Sequence, residues 1–156
     1  MAAPELTHAQ FLAMLVADGC LPIVKGKLPT KMPVEAVVLD HAHREKLEIP
    51  PGALAVFYPV GETGVFMQMH GSHARIWYTG IDTDGALATF ESELHRAHPS
   101  AVFVEQGPHP EVPGSNVRVY RLDIDPTHFV EIEATYPIDR RVNQQFIVRL
   151  HGRQRV

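Results

Sequence analysis

Two extended runs rich in apolar and aromatic residues flank a Gly-Ser pair, and together they predict a β-hairpin. The stretches cover residues 65–70 and 73–78, and Gly71 and Ser72 lie between them. Gly-Ser in a two-residue loop is typical of a type II′ turn. The cross-strand pairs that follow from this turn are His70 with His73, Gln68 with Arg75, and Phe66 with Trp77.

Because successive side chains of a strand point to opposite faces, the hairpin has one apolar face and one mixed face. The apolar face carries Val65, Met67, Met69, Ala74, Ile76 and Tyr78. The mixed face carries Phe66, Gln68, His70, His73, Arg75 and Trp77. A preceding strand over residues 53–58, with Val60 opposite Val65 across a loop at 61–64, adds Phe57 to the mixed face. The pattern therefore predicts a three-stranded meander.

A first helix is predicted near the N-terminus. Thr7 at the N-cap and Gln10 three residues later form a capping box. Gly19 is expected to end this helix. The basic, proline-rich residues 20–33 then form a connector.

The remaining pattern predicts a longer helix over residues 84–98 with a narrow apolar stripe. The shorter predicted elements are a strand at 36–39, a helix capped by Asp40, a strand at 101–105, a hairpin of 117–124 and 129–136, and a strand at 146–150. Strands that return through short turns form antiparallel sheets, so we expect a single α+β domain over residues 1–156. Its largely antiparallel, curved sheet carries the N-terminal helix and the main helix packed on it.

Composition limits the classes of function. The chain of 156 residues has a net charge of −4, which argues against nucleic acid as a partner. It has no apolar stretch long enough to span a bilayer and no basic segment followed by an apolar run at its N-terminus. Cys20 is its single cysteine, which fits a reducing compartment. We therefore expect a cytoplasmic protein that does not associate with membranes.

The mixed face of the meander is the best candidate for a functional site. Pockets for small molecules are largely apolar and aromatic with a few polar groups, and this face offers Phe57, Phe66, Gln68, Arg75 and Trp77. Arg75 could hold a carboxylate or phosphate through two hydrogen bonds, while Trp77 and Phe66 stack on a ring. If Trp77 is the wall of an open pocket, Trp77→Ala should lower the free energy of unfolding by clearly less than the about 3–5 kcal/mol expected for a buried tryptophan. The leading hypothesis is thus a binder of an aromatic or anionic ligand on residues 53–79.

The alternative for the same face is that a helix covers the aromatic residues while the polar residues lie at its solvent-exposed edge. No nucleophile elbow, phosphate loop or dinucleotide-binding turn occurs in the chain. Hydrolase, nucleotide-dependent and dehydrogenase functions therefore receive no support.

Histidines are unusually frequent, with 10 in the chain. His70 and His73 should have Cβ atoms about 5 Å apart across the turn, which suits two ligands of Zn²⁺ or another transition metal. A third ligand would have to come from His109 or His128 through tertiary contact. A metal-dependent enzyme using His70 and His73 is the first alternative function, and apart from such a metal no cofactor is expected. The simpler interpretation is a pair of solvated side chains.

A protein-interaction module is the second alternative, with a sheet edge or a basic tail as its interface. Half of the arginines lie in the last seventeen residues, namely Arg140, Arg141, Arg149, Arg153 and Arg155. A run of arginines can attract an anionic partner, but it is also typical of a solvated strand and a frayed tail. A homo-oligomer is compatible with the sequence.

Overall fold

The computed structural model describes residues 6–28, 31–32, 35–61, 63–79 and 85–154. Over these residues the chain has the predicted α+β fold with one open, antiparallel sheet. The strands are β1 (Val37–Val38), β2 (Leu54–Val60), β3 (Thr63–His70), β4 (His73–Thr79), β5 (Val102–Pro108), β6 (Ser115–Asp123), β7 (His128–Pro137) and β8 (Gln145–Gln154). Their order is β1-β2-β3-β4-β8-β7-β6-β5, so two consecutive meanders join through β4 and β8.

The helices lie before the first meander, within it and between the two. They are α1 (His8–Met14), a π-helical stretch (Leu15–Cys20), α2 (Leu21–Val24), α3 (His41–Lys46) and α4 (Ala86–Ala97). α1, the π-helical stretch and α2 are continuous. Residues 81–84, which include the predicted start of the long helix, lie outside the described residues. None of the described helices is long and apolar enough to cross a membrane.

The N-terminal helix starts as predicted and ends later than predicted. Thr7 and Gln10 form the capping box. The expected end at Gly19 is wrong, because the chain stays helical as far as Val24. Cys20 and Leu21 are completely buried, and burial of these apolar side chains favours continued helix over a connector. Gly26, at a φ of 76°, follows the real end.

The central hairpin has the predicted register. Phe66 stands opposite Trp77, and His70 stands opposite His73. Gly71 has a φ of 61° while Ser72 does not have a positive φ, as a type II′ turn requires.

The pairing of β2 with β3 differs from the prediction by two residues. Val65 stands opposite Tyr58, not Val60. A shift of two residues leaves every side chain on its predicted face, so Phe57 still joins the mixed face.

Two later strands are longer than predicted. β5 extends to Pro108, into the stretch predicted as a loop, and β8 extends to Gln154. β8 pairs with β4 on one side and with β7 on the other. Arg149 and Arg153 therefore belong to an interior strand rather than a frayed tail, because pairing on both sides outweighs the weak strand propensity of charged residues. Arg155 lies outside the described residues.

The core lies on one face of the sheet, under α1, the π-helical stretch and α4. From these helices Phe11, Leu12, Phe90 and Leu94 are completely buried. They join sheet residues in one cluster that includes Val65, Ile76, Tyr78, Tyr120, Val130, Ile132, Phe146, Val148 and Leu150. The mixed face of the meander points away from this core. We call that side of the sheet the open face.

Candidate functional site

Side chains on the open face form rows that run across several strands, because directly opposed residues share a face. The first row is Phe57, Phe66, Trp77, Ile147, Thr135 and Val117. The second row is Gln68, Arg75, Arg149 and Glu133. The third row is His70, His73, His151, Glu131 and Arg121. The five residues predicted as a ligand site thus stand together on the first two rows.

Phe57, Phe66 and Trp77 form a continuous aromatic stack. The ring centroids of Phe57 and Phe66 are 4.9 Å apart. Those of Phe66 and Trp77 are 5.2 Å apart, with the ring planes within 13° of parallel. Trp77 is only 6% exposed, so its ring is not the open stacking surface that the sequence suggests. The ring instead makes a cation–π contact with Arg75, whose guanidinium carbon lies 4.3 Å from the Trp77 ring centroid.

Arg75 is a half-buried cation that has no anionic partner among the described residues. Its Nη2 donates a hydrogen bond to Oε1 of Gln68 at 3.1 Å, but its Nε is buried and has no partner. Burial lowers the pKa of Arg75, and the charge of Arg149 on the opposed position lowers it further. No carboxylate in the described part of the chain forms an ion pair with Arg75.

A cavity of about 230 Å³ opens beside Arg75. Its sheet side is lined by Arg75, Trp77, Gln145 and Ile147. The other side is lined by Lys46, Leu47 and Glu48 at the end of α3. α3 starts as predicted at Asp40, whose carboxylate accepts a hydrogen bond from the His43 backbone, but none of its residues is buried. The cavity thus lies between the sheet and a helix that has no buried residue.

Glu48 follows the end of α3 and has a backbone conformation that is unfavourable for any residue except glycine. At a φ of 56°, it is the one non-glycine residue with positive φ in the described part of the chain. The Glu48 N–H donates to the Glu45 carbonyl at 3.1 Å, and the Ile49 N–H donates to the Arg44 carbonyl at 2.9 Å. This is a Schellman motif, in which glycine is the usual residue at the position of Glu48. A side chain there costs about 1–2 kcal/mol.

The sequence predicts that His70 and His73 form a metal site, but in the structure the ring of His73 lies beside that of His151. Nδ1 of His73 lies 3.2 Å from Nδ1 of His151. Nε2 of His70 lies 3.9 Å from where a Cβ would stand at Gly52. Burial lowers the pKa of His151, with Arg153 and His73 adding to the effect and Glu133 and Glu131 opposing it.

The two histidines named as third metal ligands have local partners. Nδ1 of His109 accepts hydrogen bonds from the backbone N–H groups of Glu111 and Val112. Nδ1 of His128 lies 3.1 Å from the carboxylate of Asp125. Across the described ranges, no three His, Cys, Asp or Glu side chains are grouped so that they could hold a metal ion. The structure thus adds no ligand to His70 and His73.

Two of the described arginines near the C-terminus have acidic neighbours. Arg141 lies 3.0 Å from Asp139, and Arg153 lies 3.6 Å from Glu131. The edge strand β5 is a better feature for the interaction hypothesis, because it exposes Val102, Phe103 and Val104. Exposed apolar residues on a sheet edge can pair with another chain.

The sequence analysis missed the residues that complete the cavity. Gln145 and Ile147 are two residues apart, so the sequence indicates that they share a face, but it does not show that their strand lies beside β4. The sequence gives no indication that Lys46 and Glu48 belong to a site, because the residues around them do not show where the end of a short helix will pack.

Comparisons with protein family models, with curated proteins and with solved structures found no match to this chain. The functional interpretation therefore depends on the geometry of the site.

Proposed function

We propose that this protein binds a small anionic ligand, whose carboxylate or phosphate group is held by Arg75 in the cavity beside Trp77. The observation that carries the proposal is the guanidinium group of Arg75, which lines this cavity and forms no ion pair with a described residue. A half-buried charge without a partner is costly, and the Nε–H of the same group is buried without a hydrogen-bond partner. An anion in the cavity would pair with this charge and offset the repulsion between Arg75 and Arg149.

The surrounding residues orient the guanidinium group. Gln68 accepts one hydrogen bond from Nη2, which leaves the other N–H groups of the two terminal guanidinium nitrogens for a ligand. Trp77 supports the guanidinium plane through the cation–π contact. The amide of Gln145 and the apolar side chains of Ile147 and Leu47 contribute to the lining, together with the charged side chains of Lys46 and Glu48. Apolar side chains with a few polar and charged groups are the usual makeup of a small-molecule site.

The size of the cavity limits the ligand. A volume of about 230 Å³ lies below the roughly 300 Å³ at which pockets for drug-sized ligands begin. The ligand is accordingly a small acid rather than a nucleotide or a cofactor. Such acids are cytoplasmic metabolites, and the cytoplasm is the compartment that we propose from the single cysteine.

Fluorescence tests the proposal directly, because Trp77 is the single tryptophan of the chain. We would titrate the protein with benzoate, 4-methylpentanoate and inorganic phosphate and repeat each titration by calorimetry. At least one anion should give a saturable change. Arg75→Met should weaken that binding roughly tenfold or more, since a charged hydrogen bond is lost.

Arg121→Met is the matched control, because Arg121 stands on the same face but does not line the cavity. It should bind the anions as the wild type does. Absence of saturable binding with all three anions, or equal binding by Arg75→Met, would overturn the proposal.

A further inference from the structure

We infer that the natural occupant of the cavity is an α-amino acid with an apolar side chain, an inference that rests on the anion site proposed above. Its carboxylate binds Arg75 and its ammonium group binds Glu48. Both side chains line the same cavity, and neither forms an ion pair with a described residue. A zwitterion satisfies both charges at once, whereas a simple acid leaves the Glu48 carboxylate without a partner.

The backbone of Glu48 supports a role for its side chain. Glycine would fit a φ of 56° without strain, yet this chain keeps a carboxylate at the cavity. Strained residues of this kind persist where the side chain has a use, and they cluster at ligand sites. The opposite charges of Arg75 and Glu48 match the two charged groups on the α-carbon of an amino acid.

The rest of the lining selects the side chain of the ligand. Trp77, Ile147 and Leu47 are the apolar residues of the lining. Trp77 and Ile147 are almost completely buried, so the half-buried Leu47 is the one of the three that keeps apolar surface exposed to water. An apolar side chain of the ligand would cover that surface. The volume of the cavity, about 230 Å³, suits one such small molecule.

Lys46 also lines the cavity and would pair with a second carboxylate of an acidic amino acid. Lys46 and Glu48 are both exposed. The lysine ammonium group is flexible and strongly hydrated, whereas Glu48 is held at a φ of 56° beside the cavity. We therefore assign the second charged contact of the ligand to Glu48 rather than to Lys46. Glutamate is consequently the probe that separates the two classes of amino acid.

Calorimetric titration of the full chain with four related probes tests this inference. L-Leucine carries a carboxylate, an ammonium group and an apolar side chain. 4-Methylpentanoate lacks the ammonium group, and 3-methylbutylamine lacks the carboxylate. L-Glutamate has an acidic side chain in place of the apolar one. Leucine should bind roughly tenfold or more tightly than 4-methylpentanoate and 3-methylbutylamine, because each of these lacks one charged hydrogen bond. Glutamate keeps both charged groups and should bind more weakly than leucine because its side chain buries less apolar surface.

Glu48→Gln should weaken leucine binding roughly tenfold and leave 4-methylpentanoate binding unchanged. Glu45→Gln is the control, because it removes a carboxylate from the same helix at a position that does not line the cavity. It should leave leucine binding unchanged. Thermal melts check that both variants are folded.

The outcomes distinguish this inference from the anion site on which it rests. If 4-methylpentanoate binds as tightly as leucine, or if Glu48→Gln binds leucine like the wild type, the amino-acid inference is overturned and the anion site stands. Tighter binding of glutamate than of leucine would contradict the inference that the ligand has an apolar side chain. If none of the acids binds, both proposals fail.

Discussion

Arg75 and Arg149 stand directly opposite each other on the neighbouring strands β4 and β8. Like charges at opposed positions destabilise a sheet. Burial and the charge of Arg149 both lower the pKa of Arg75, and its Nε has no hydrogen-bond partner. Binding sites commonly sacrifice stability in this way, because the groups that hold a ligand are unsatisfied without it. The predictions below separate this explanation from a structural role.

Arg75→Met should raise the free energy of unfolding by about 1 kcal/mol, because it removes a buried donor without a partner and a repulsive charge. Arg118→Met should instead lower it by about 1–2 kcal/mol. Nε of Arg118 lies 2.9 Å from Glu91 and donates to the Tyr120 hydroxyl at 2.8 Å. Urea unfolding of both variants gives the comparison. A large loss of stability in Arg75→Met would show that Arg75 is structural.

Trp77→Ala should lower the free energy of unfolding by about 3–5 kcal/mol, as expected for a buried tryptophan. The indole is 6% exposed and stacks between neighbours on the open face. This expectation replaces the smaller loss that an open pocket wall implies. Guanidinium unfolding followed by circular dichroism measures it, since the variant has no tryptophan. A loss below about 1 kcal/mol would mean that the indole is more accessible than the structure shows.

Glu48→Gly should raise the free energy of unfolding by about 1 kcal/mol, because glycine adopts a positive φ without strain. The gain should appear in thermal or chemical unfolding of the protein without ligand. The same variant should bind leucine more weakly, since it lacks the carboxylate. A decrease in stability would indicate that the Glu48 side chain makes stabilising contacts within the protein.

Gly64→Ala should destabilise the aromatic stack. A Cβ at Gly64 would stand 2.3 Å from the Tyr58 carbonyl oxygen and 2.4 Å from Cζ of Phe57, so the Phe57 ring must move. We expect a loss of about 1–3 kcal/mol in unfolding experiments and a change in Trp77 fluorescence. Gly107→Ala is the control, because a Cβ there meets no atom within 4 Å. Similar losses in both variants would contradict the steric explanation.

His151 should make the fold less stable in mild acid. Burial, Arg153 and His73 lower its pKa in the folded protein, while the unfolded chain keeps the ordinary pKa of about 6.5. Between the lowered pKa and about 6.5 the unfolded chain binds more protons, so stability falls as the pH falls through this window. Urea unfolding at pH 7.5 and pH 5 should show a smaller loss in His151→Gln than in the wild type. An equal loss would exclude His151 as the cause.

The start of the first helix and the register of the central hairpin were determined by the sequence itself. Thr7 and Gln10 cap a helix through neighbouring backbone groups, and Gly71 with Ser72 selects one turn type. Alternation of apolar and polar residues then assigns each side chain to a face, which brought Phe66, Trp77 and Arg75 together before any tertiary contact was known. Even the error of two residues between β2 and β3 left the faces unchanged. These features depend on residues close together in the chain.

The cavity and its charges were decided by the tertiary structure alone. Which edges of the two meanders meet is not encoded in alternation, so the sequence did not show that Arg149 would stand opposite Arg75. Nor did it show that Glu48, at the end of a helix with no buried residue, would pack over the open face. The end of the first helix was missed for the same reason, since burial of Cys20 and Leu21 against distant strands outweighed the local signal of Gly19. Contacts between distant segments follow from how whole surfaces fit together, and a short window of sequence does not contain those surfaces.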